Sequence, residues 1–313
     1  MTRVRRTLKR VAITILIVII VLPIVAGPLG LGAAPLPAAG HLMLLPAGYR
    51  VNVLDEGTGP AVLLVHGLPG SAYDWETLPA LLQAAGCRVI RYDRVGYGHS
   101  DRRRADAEHR VDVNGRELAQ LIDVLRLERV VLGGWSYGGG VAIETAGRSS
   151  RVGGVALIGS IGPATPAPLQ VPRAVEWPRR WAVASGLPAR AGIRLFARLA
   201  FNAPPPEGWV SHAYAVVGAS GVVHTFSEEA VQMAPASLHV APLAQVPVTI
   251  VHGTADRLSP VVAAEDLKTR VPSARLVTVP DGSHMLPTTH PALLRDELID
   301  LVRRTGQACQ SPS

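Results

Sequence analysis

Short apolar, β-branched runs recur along this chain with helical patterns between them. That alternation admits few folds, because parallel strands must be joined by helical crossovers of one hand. The strand-like runs are residues 50–54, 61–65, 88–92, 130–134, 154–158, 248–252 and 276–279. Several are apolar on both faces, as strands are when helices cover both sides of a sheet. Helical patterns fall near residues 75–85, 113–125, 139–147, 261–269 and 291–303. The expected fold class is α/β, a mostly parallel doubly wound sheet without internal repeats.

Between about Pro163 and Ala241 the alternation stops, and Pro-punctuated helical pieces take over. Seven aromatics fall there: Trp177, Trp181, Phe196, Phe201, Trp209, Tyr214 and Phe226. An insertion of this length with its own apolar surface predicts a helical cap over one edge of the sheet. The expected organisation is a core of residues 49–162 and 242–304, a cap of 163–241, a linker of 35–48 and a fraying tail of 305–313. Within the cap, Arg190, Arg194 and Arg198 recur every fourth residue, with Ile193, Phe196 and Leu199 opposite. This pattern reads as a solvated helix face with its apolar stripe on the core; contact with an anionic membrane surface is the competing reading.

The net charge of +7 looks at first like a nucleic-acid signal. Five of the basic residues, however, are Arg3, Arg5, Arg6, Lys9 and Arg10, which leaves a nearly neutral body and excludes a phosphate-tracking surface. Directly after them, Val11 to Ala34 carry no charge; as a helix they would span about 36 Å. A basic flank before an apolar span retains the amino terminus in the cytoplasm and places the body outside it. The leader, residues 1–34, is expected to be an uncleaved signal anchor or a removable signal peptide, and the A-x-A cleavage pattern is missing. With only Cys87 and Cys309, the chain is neither a disulfide scaffold nor a Cys-rich zinc module.

The chemistry-bearing motif is Gly134-Trp135-Ser136-Tyr137-Gly138, where a β run ends and a helix begins. A serine at the tip of so sharp a turn needs glycines on both sides, and the following helix places partial positive charge near it. A serine hydroxyl is a weak nucleophile, so it needs a base and a group that orients the base. Two further strands supply them: one runs into Asp256 and the other into His284, both at the carboxyl edge where open α/β sheets place their sites. Asp281, before Gly282, reads as a turn residue. His66, before Gly67, reads as structural, and no histidine pair has zincin spacing, so neither metal nor cofactor is expected.

The order Ser136, Asp256, His284 resembles that of the α/β-hydrolase superfamily, in its serine-nucleophile, esterase-like branch. The likeness covers roughly residues 48–304 and is carried by His66-Gly67-Leu68-Pro69-Gly70, Asp93-Arg94-Val95-Gly96-Tyr97-Gly98-His99-Ser100 and the serine turn. It implies that the backbone N–H groups of Leu68 and Tyr137 form the oxyanion hole, with Gly67, Gly134 and Gly138 shaping the loops. It also implies a serine rather than an aspartate nucleophile, which sets the chain apart from dehalogenases and epoxide hydrolases of this fold. The expected activity is hydrolysis of a carboxylic ester with an apolar group. Carbon–carbon bond hydrolysis, perhydrolysis, acyl transfer and a noncatalytic binding module are the alternatives. Trp135, Trp177, Trp181, Phe196 and Trp209 are the expected pocket residues, the partners a small-molecule or lipid-like ester and, through the leader, a membrane.

Overall fold

The computed structural model describes residues 36, 38–104, 106–166, 187–219 and 221–310. The leader, the start of the linker, Trp177, Trp181 and residues 311–313 lie outside them. Eight strands form one sheet in the order β1-β2-β4-β3-β5-β6-β7-β8. They are β1 (His41–Leu44), β2 (Arg50–Glu56), β3 (Ala61–Val65), β4 (Arg88–Tyr92), β5 (Val130–Trp135), β6 (Val152–Ile158), β7 (Val248–Gly253) and β8 (Arg275–Val279). From β4 through β8 every neighbouring pair is parallel, whereas β1–β2 and β2–β4 are antiparallel.

Alternating strand residues feed two cores. Leu63, Val65, Leu132 and Leu157 face one layer, while Val62, Leu64, Val131 and Ile158 face the other. Each such side chain, wholly removed from water, contributes about 1.5–3 kcal/mol. The covering helices are α1 (Leu78–Ala84), α2 (Val111–Val124), α3 (Tyr137–Ala146), α7 (Val262–Arg270), the short α8 (Leu286–Thr289) and α9 (Pro291–Arg304). In α9 the buried residues Leu294, Leu298, Leu301 and Val302 form one apolar stripe. Its ends follow helix rules: Pro291 needs no N–H partner in the first turn, and Arg303 and Arg304 sit at the negative end of the dipole.

Three expectations need correction. The linker holds an edge strand, β1, paired with β2 from His41↔Val53 to Leu44↔Arg50. Its exposed Leu42 and Leu44 carry no burial pattern, so only the pairing makes it a strand. The tail does not fray over residues 305–310, because Cys309 is joined to Cys87 in a disulfide. The described cap comprises α4 (Leu187–Phe201), α5 (Trp209–Gly218) and α6 (Val222–Gln232). On α4 the residues buried on the core are Ala197, Ala200 and Phe201 rather than the expected stripe; Phe196 is 41% and Leu199 44% exposed. Small alanines let the helix approach closely, which turns the larger side chains aside. Among the described residues no helix is long and apolar enough to cross a membrane.

Candidate active site

Strand β5 delivers Ser136 to the start of α3 with φ 56° and ψ −121°, a strained left-handed conformation for a residue with a side chain. Backbone hydrogen bonds hold it there: its N–H donates to the Ile158 carbonyl at 3.0 Å, and its own carbonyl accepts from Gly139 and Ile161. The flanking glycines are required by contact. A Cβ on Gly134 would lie 2.4 Å from the Gly138 carbonyl oxygen, and one on Gly138 would lie 2.1 Å from that of Val65. At Gly67 it would come within 3.3 Å of the Ser136 Cβ, which places the following Leu68 beside the serine.

The loops after β7 and β8 bring Asp256 and His284 together, with Asp256 Oδ2 2.7 Å from His284 Nδ1. The other carboxylate oxygen accepts N–H bonds from Leu258 (2.8 Å) and Ser259 (2.9 Å). Burial alone would raise the Asp256 pKa, but the bond and charge of His284 and these two N–H groups outweigh it and hold the carboxyl below its ordinary value. The imidazole is therefore oriented with Nδ1–H toward the acid, leaving Nε2 for a proton on the other side. Two further bonds seat the His284 backbone: its N–H donates to Ala200 of α4, and its carbonyl accepts from Trp135 Nε1 at 3.0 Å.

Because the folded-state pKa of Asp256 is depressed, its stabilisation is present above the unfolded value, about 3.9, and is lost as the pH falls through the lower folded value. Asp256→Asn is thus expected to melt below wild type at pH 6, with the gap closing below about pH 4 as the wild-type carboxyl is neutralised. Thermal denaturation across pH 3–7 measures this; a gap independent of pH would mean that the carboxylate charge is not what stabilises the pair.

Ser136 and His284 open into one cavity of about 530 Å³ beneath the cap. Its walls are mostly apolar, with Trp135, Ile193, Phe196, Trp209, Val216 and Phe226 among the lining residues. Of the predicted pocket residues, Trp135, Phe196 and Trp209 line it, and Leu68 lies in the same wall. Tyr137 is the first residue of α3, so its N–H is one of the helix donors without an intrahelical partner. Asp281 is exposed in a turn at φ 52°, and the acid bonded to His284 is Asp256.

His66 is wholly buried and structural. Its Nε2 accepts the Arg94 N–H at 3.0 Å, so Nδ1 carries the proton and donates to the Gly67 carbonyl at 3.0 Å. Burial, reinforced by the Arg94 charge, keeps this ring well below the usual imidazole pKa and hence neutral.

Three groups near the site have partners that sequence reasoning did not give, although His252 is legible as a weaker candidate at a strand end. His252 lies beside Asp256, its Nε2 3.6 Å from Oδ2 and 2.7 Å from the Ser259 carbonyl. Asp74 and His212 line the cavity as a bonded pair, 3.1 Å apart, joining the core to α5. Burial works against the charged imidazole, but Asp74 reverses this and raises the His212 pKa. The third is Glu229 of α6, buried against Arg94 at 2.6 Å. A carboxylate on a helix reads locally as a solvated residue, and only the basic residue at 94, next to Asp93, hints that it has a buried partner.

The profile of the alpha/beta hydrolase fold family matches residues 60–291. An uncharacterized Mycobacterium tuberculosis protein is 41% identical over 99 residues, which is 32% of this chain and 28% of that protein. A Synechocystis protein named as a non-heme chloroperoxidase is 28% identical over 261 residues, covering 80% of this chain and 93% of its own length. Among solved structures, an esterase from Exiguobacterium antarcticum superposes with a TM-score of 0.69 at 21% identity, over 84% of this chain and 99% of that one.

Proposed function

The chain belongs to the α/β-hydrolase fold family, and on that premise we propose that it is a serine hydrolase cleaving an ester with an apolar group through an acyl-enzyme on Ser136. The observation that carries this reading is the Asp256–His284 bond of 2.7 Å at the edge of the cavity that Ser136 also lines. In the proposed cycle His284 takes the Ser136 proton as the hydroxyl oxygen attacks the acyl carbonyl. The tetrahedral oxyanion accepts from the Leu68 and Tyr137 N–H groups. His284 then protonates the departing alcohol, and a water that it deprotonates releases the acid.

The apolar cavity supports an alkyl or aryl group on one side of the scissile bond. Carbon–carbon bond hydrolysis, perhydrolysis and acyl transfer use the same three side chains; product analysis with added alcohol or peroxide separates them. A noncatalytic binding module would need neither a serine at a strained turn nor an imidazole oriented by a buried carboxylate on the wall of the same cavity. The basic residues 3–10 and the uncharged stretch that follows support a body held outside the cytoplasm, anchored or secreted. A Cys87–Cys309 disulfide fits that location, since such bonds persist in oxidising compartments.

The test is a fluorophosphonate probe applied to residues 35–313 and read by intact mass. One adduct on wild type and none on Ser136→Ala is the expected result. A folded wild type that takes no adduct would favour the binding module.

A further inference from the structure

The Gly67 carbonyl and the Leu68 N–H belong to one planar trans peptide, so they point in opposite directions. Whatever fixes the oxygen therefore aims the N–H. Two buried donors hold the oxygen: His66 Nδ1 at 3.0 Å and Arg94 Nη2 at 2.9 Å. The Arg94 side chain is itself only 1% exposed, and a buried guanidinium keeps its place only where its charge and donors are matched.

Glu229, 0% exposed, supplies that match. Its Oε1 accepts from Arg94 Nη1 at 2.6 Å and from Asn114 Nδ2 at 3.1 Å, and its Oε2 accepts from the Tyr97 hydroxyl at 2.8 Å. The guanidinium also lies 4.6 Å from the Tyr137 ring centre, so it contacts the peptide that carries one expected oxyanion donor and the residue that carries the other. Glu229 stands on α6, in the inserted cap, and the peptide it acts on stands in the core.

We propose that Glu229 is a positioning residue: by holding Arg94 against the Gly67 carbonyl it aims the Leu68 N–H into the cavity, so that the oxyanion site is complete only while the cap is seated. The inference rests on the serine hydrolase reading. It makes the cap part of the rate-setting structure as well as a lid, since moving α6 away removes the counter-charge of Arg94. A substrate that fits poorly beneath the cap would then lose kcat as well as affinity.

The experiment compares Glu229→Gln, Arg94→Lys, the charge-free double variant Arg94→Met/Glu229→Leu and the control Glu228→Gln on a p-nitrophenyl ester. Hydrogen exchange over residues 64–72 is followed in parallel. Glu229→Gln and Arg94→Lys are expected to lose about 10- to 100-fold in kcat with KM within about twofold, short of the roughly 10²–10³-fold cost of deleting a donor outright. The double variant leaves no buried charge unpaired, though it takes the acceptor from the Tyr97 hydroxyl, so it is expected to melt within several degrees of wild type and still be slow. Exchange over residues 64–72 rises in all three and stays at the wild-type level in Glu228→Gln.

Unchanged kcat in Glu229→Gln and in the double variant, beside lost turnover in Ser136→Ala, would overturn the inference and leave the hydrolase reading standing. Turnover that survives in Ser136→Ala would overturn that reading; exchange would then decide the inference alone, and unchanged exchange in Glu229→Gln would overturn it.

Discussion

Replacing Ser136 with alanine is expected to lower kcat on a short aryl ester by about 10⁶-fold while leaving the fold intact. The size follows from what is lost and what stays. On the proposed mechanism no acyl-enzyme forms without the hydroxyl, and His284 has no proton to take; the cavity and the proposed Leu68 and Tyr137 donors would still bind and polarise the ester, a residual worth about 10³–10⁴ over water in related chemistry. Stability should change little, because the Ser136 side chain makes no capping hydrogen bond at the start of α3. Alanine at φ 56° bears the same backbone strain as serine, so the thermal midpoint is expected to stay within a few degrees. Steady-state kinetics beside a melting curve makes the measurement. Retained turnover in a folded Ser136→Ala protein would remove the serine from the mechanism.

The second large effect is on stability. The Cys87–Cys309 bond joins residues 222 positions apart and ties the carboxyl-terminal segment to the loop between α1 and β4. Closing so long a loop restricts the unfolded chain strongly, and Cys309→Ser is expected to cost about 2–4 kcal/mol. For a chain of this size that lowers the midpoint by roughly 3–6 °C. A reductant should lower the wild-type midpoint to the same level and leave the variant unmoved. Equal melting of wild type and Cys309→Ser would show that the packing of α9 already holds the carboxyl terminus without the bridge. The expected loss would mean that the chain reaches full stability only where the bridge can form, in keeping with the proposed location outside the cytoplasm.

The parts of the fold that local pattern dictates could be read before any coordinates. Seven strands stand within two residues of their expected ends, because short β-branched apolar runs favour an extended chain, and in β3, β5 and β7 they are buried on both faces. Strand β1 was missed because half of its definition lies in its partner β2. The same division runs through the site. Ser136 between Gly134 and Gly138 is a local statement, since the strained turn and the helix that follows are both written within a few residues. Asp256 and His284 each close a strand of their own, and the parallel order of β7 and β8 puts their loops side by side.

What the sequence determined by itself was the α/β alternation, the inserted cap and the turns that bear Ser136, Asp256 and His284, because each rests on interactions between residues near one another in the chain. Tertiary structure decided the rest: the Cys87–Cys309 bridge, the Asp74–His212 pair across cap and core, and the Glu229–Arg94 pair behind the Gly67 peptide. A carboxylate, an imidazole or a thiol looks the same in sequence whether water or a distant side chain surrounds it. Only packing removes the water, and once it is gone the partner, whatever its distance along the chain, is the one that can satisfy the charge.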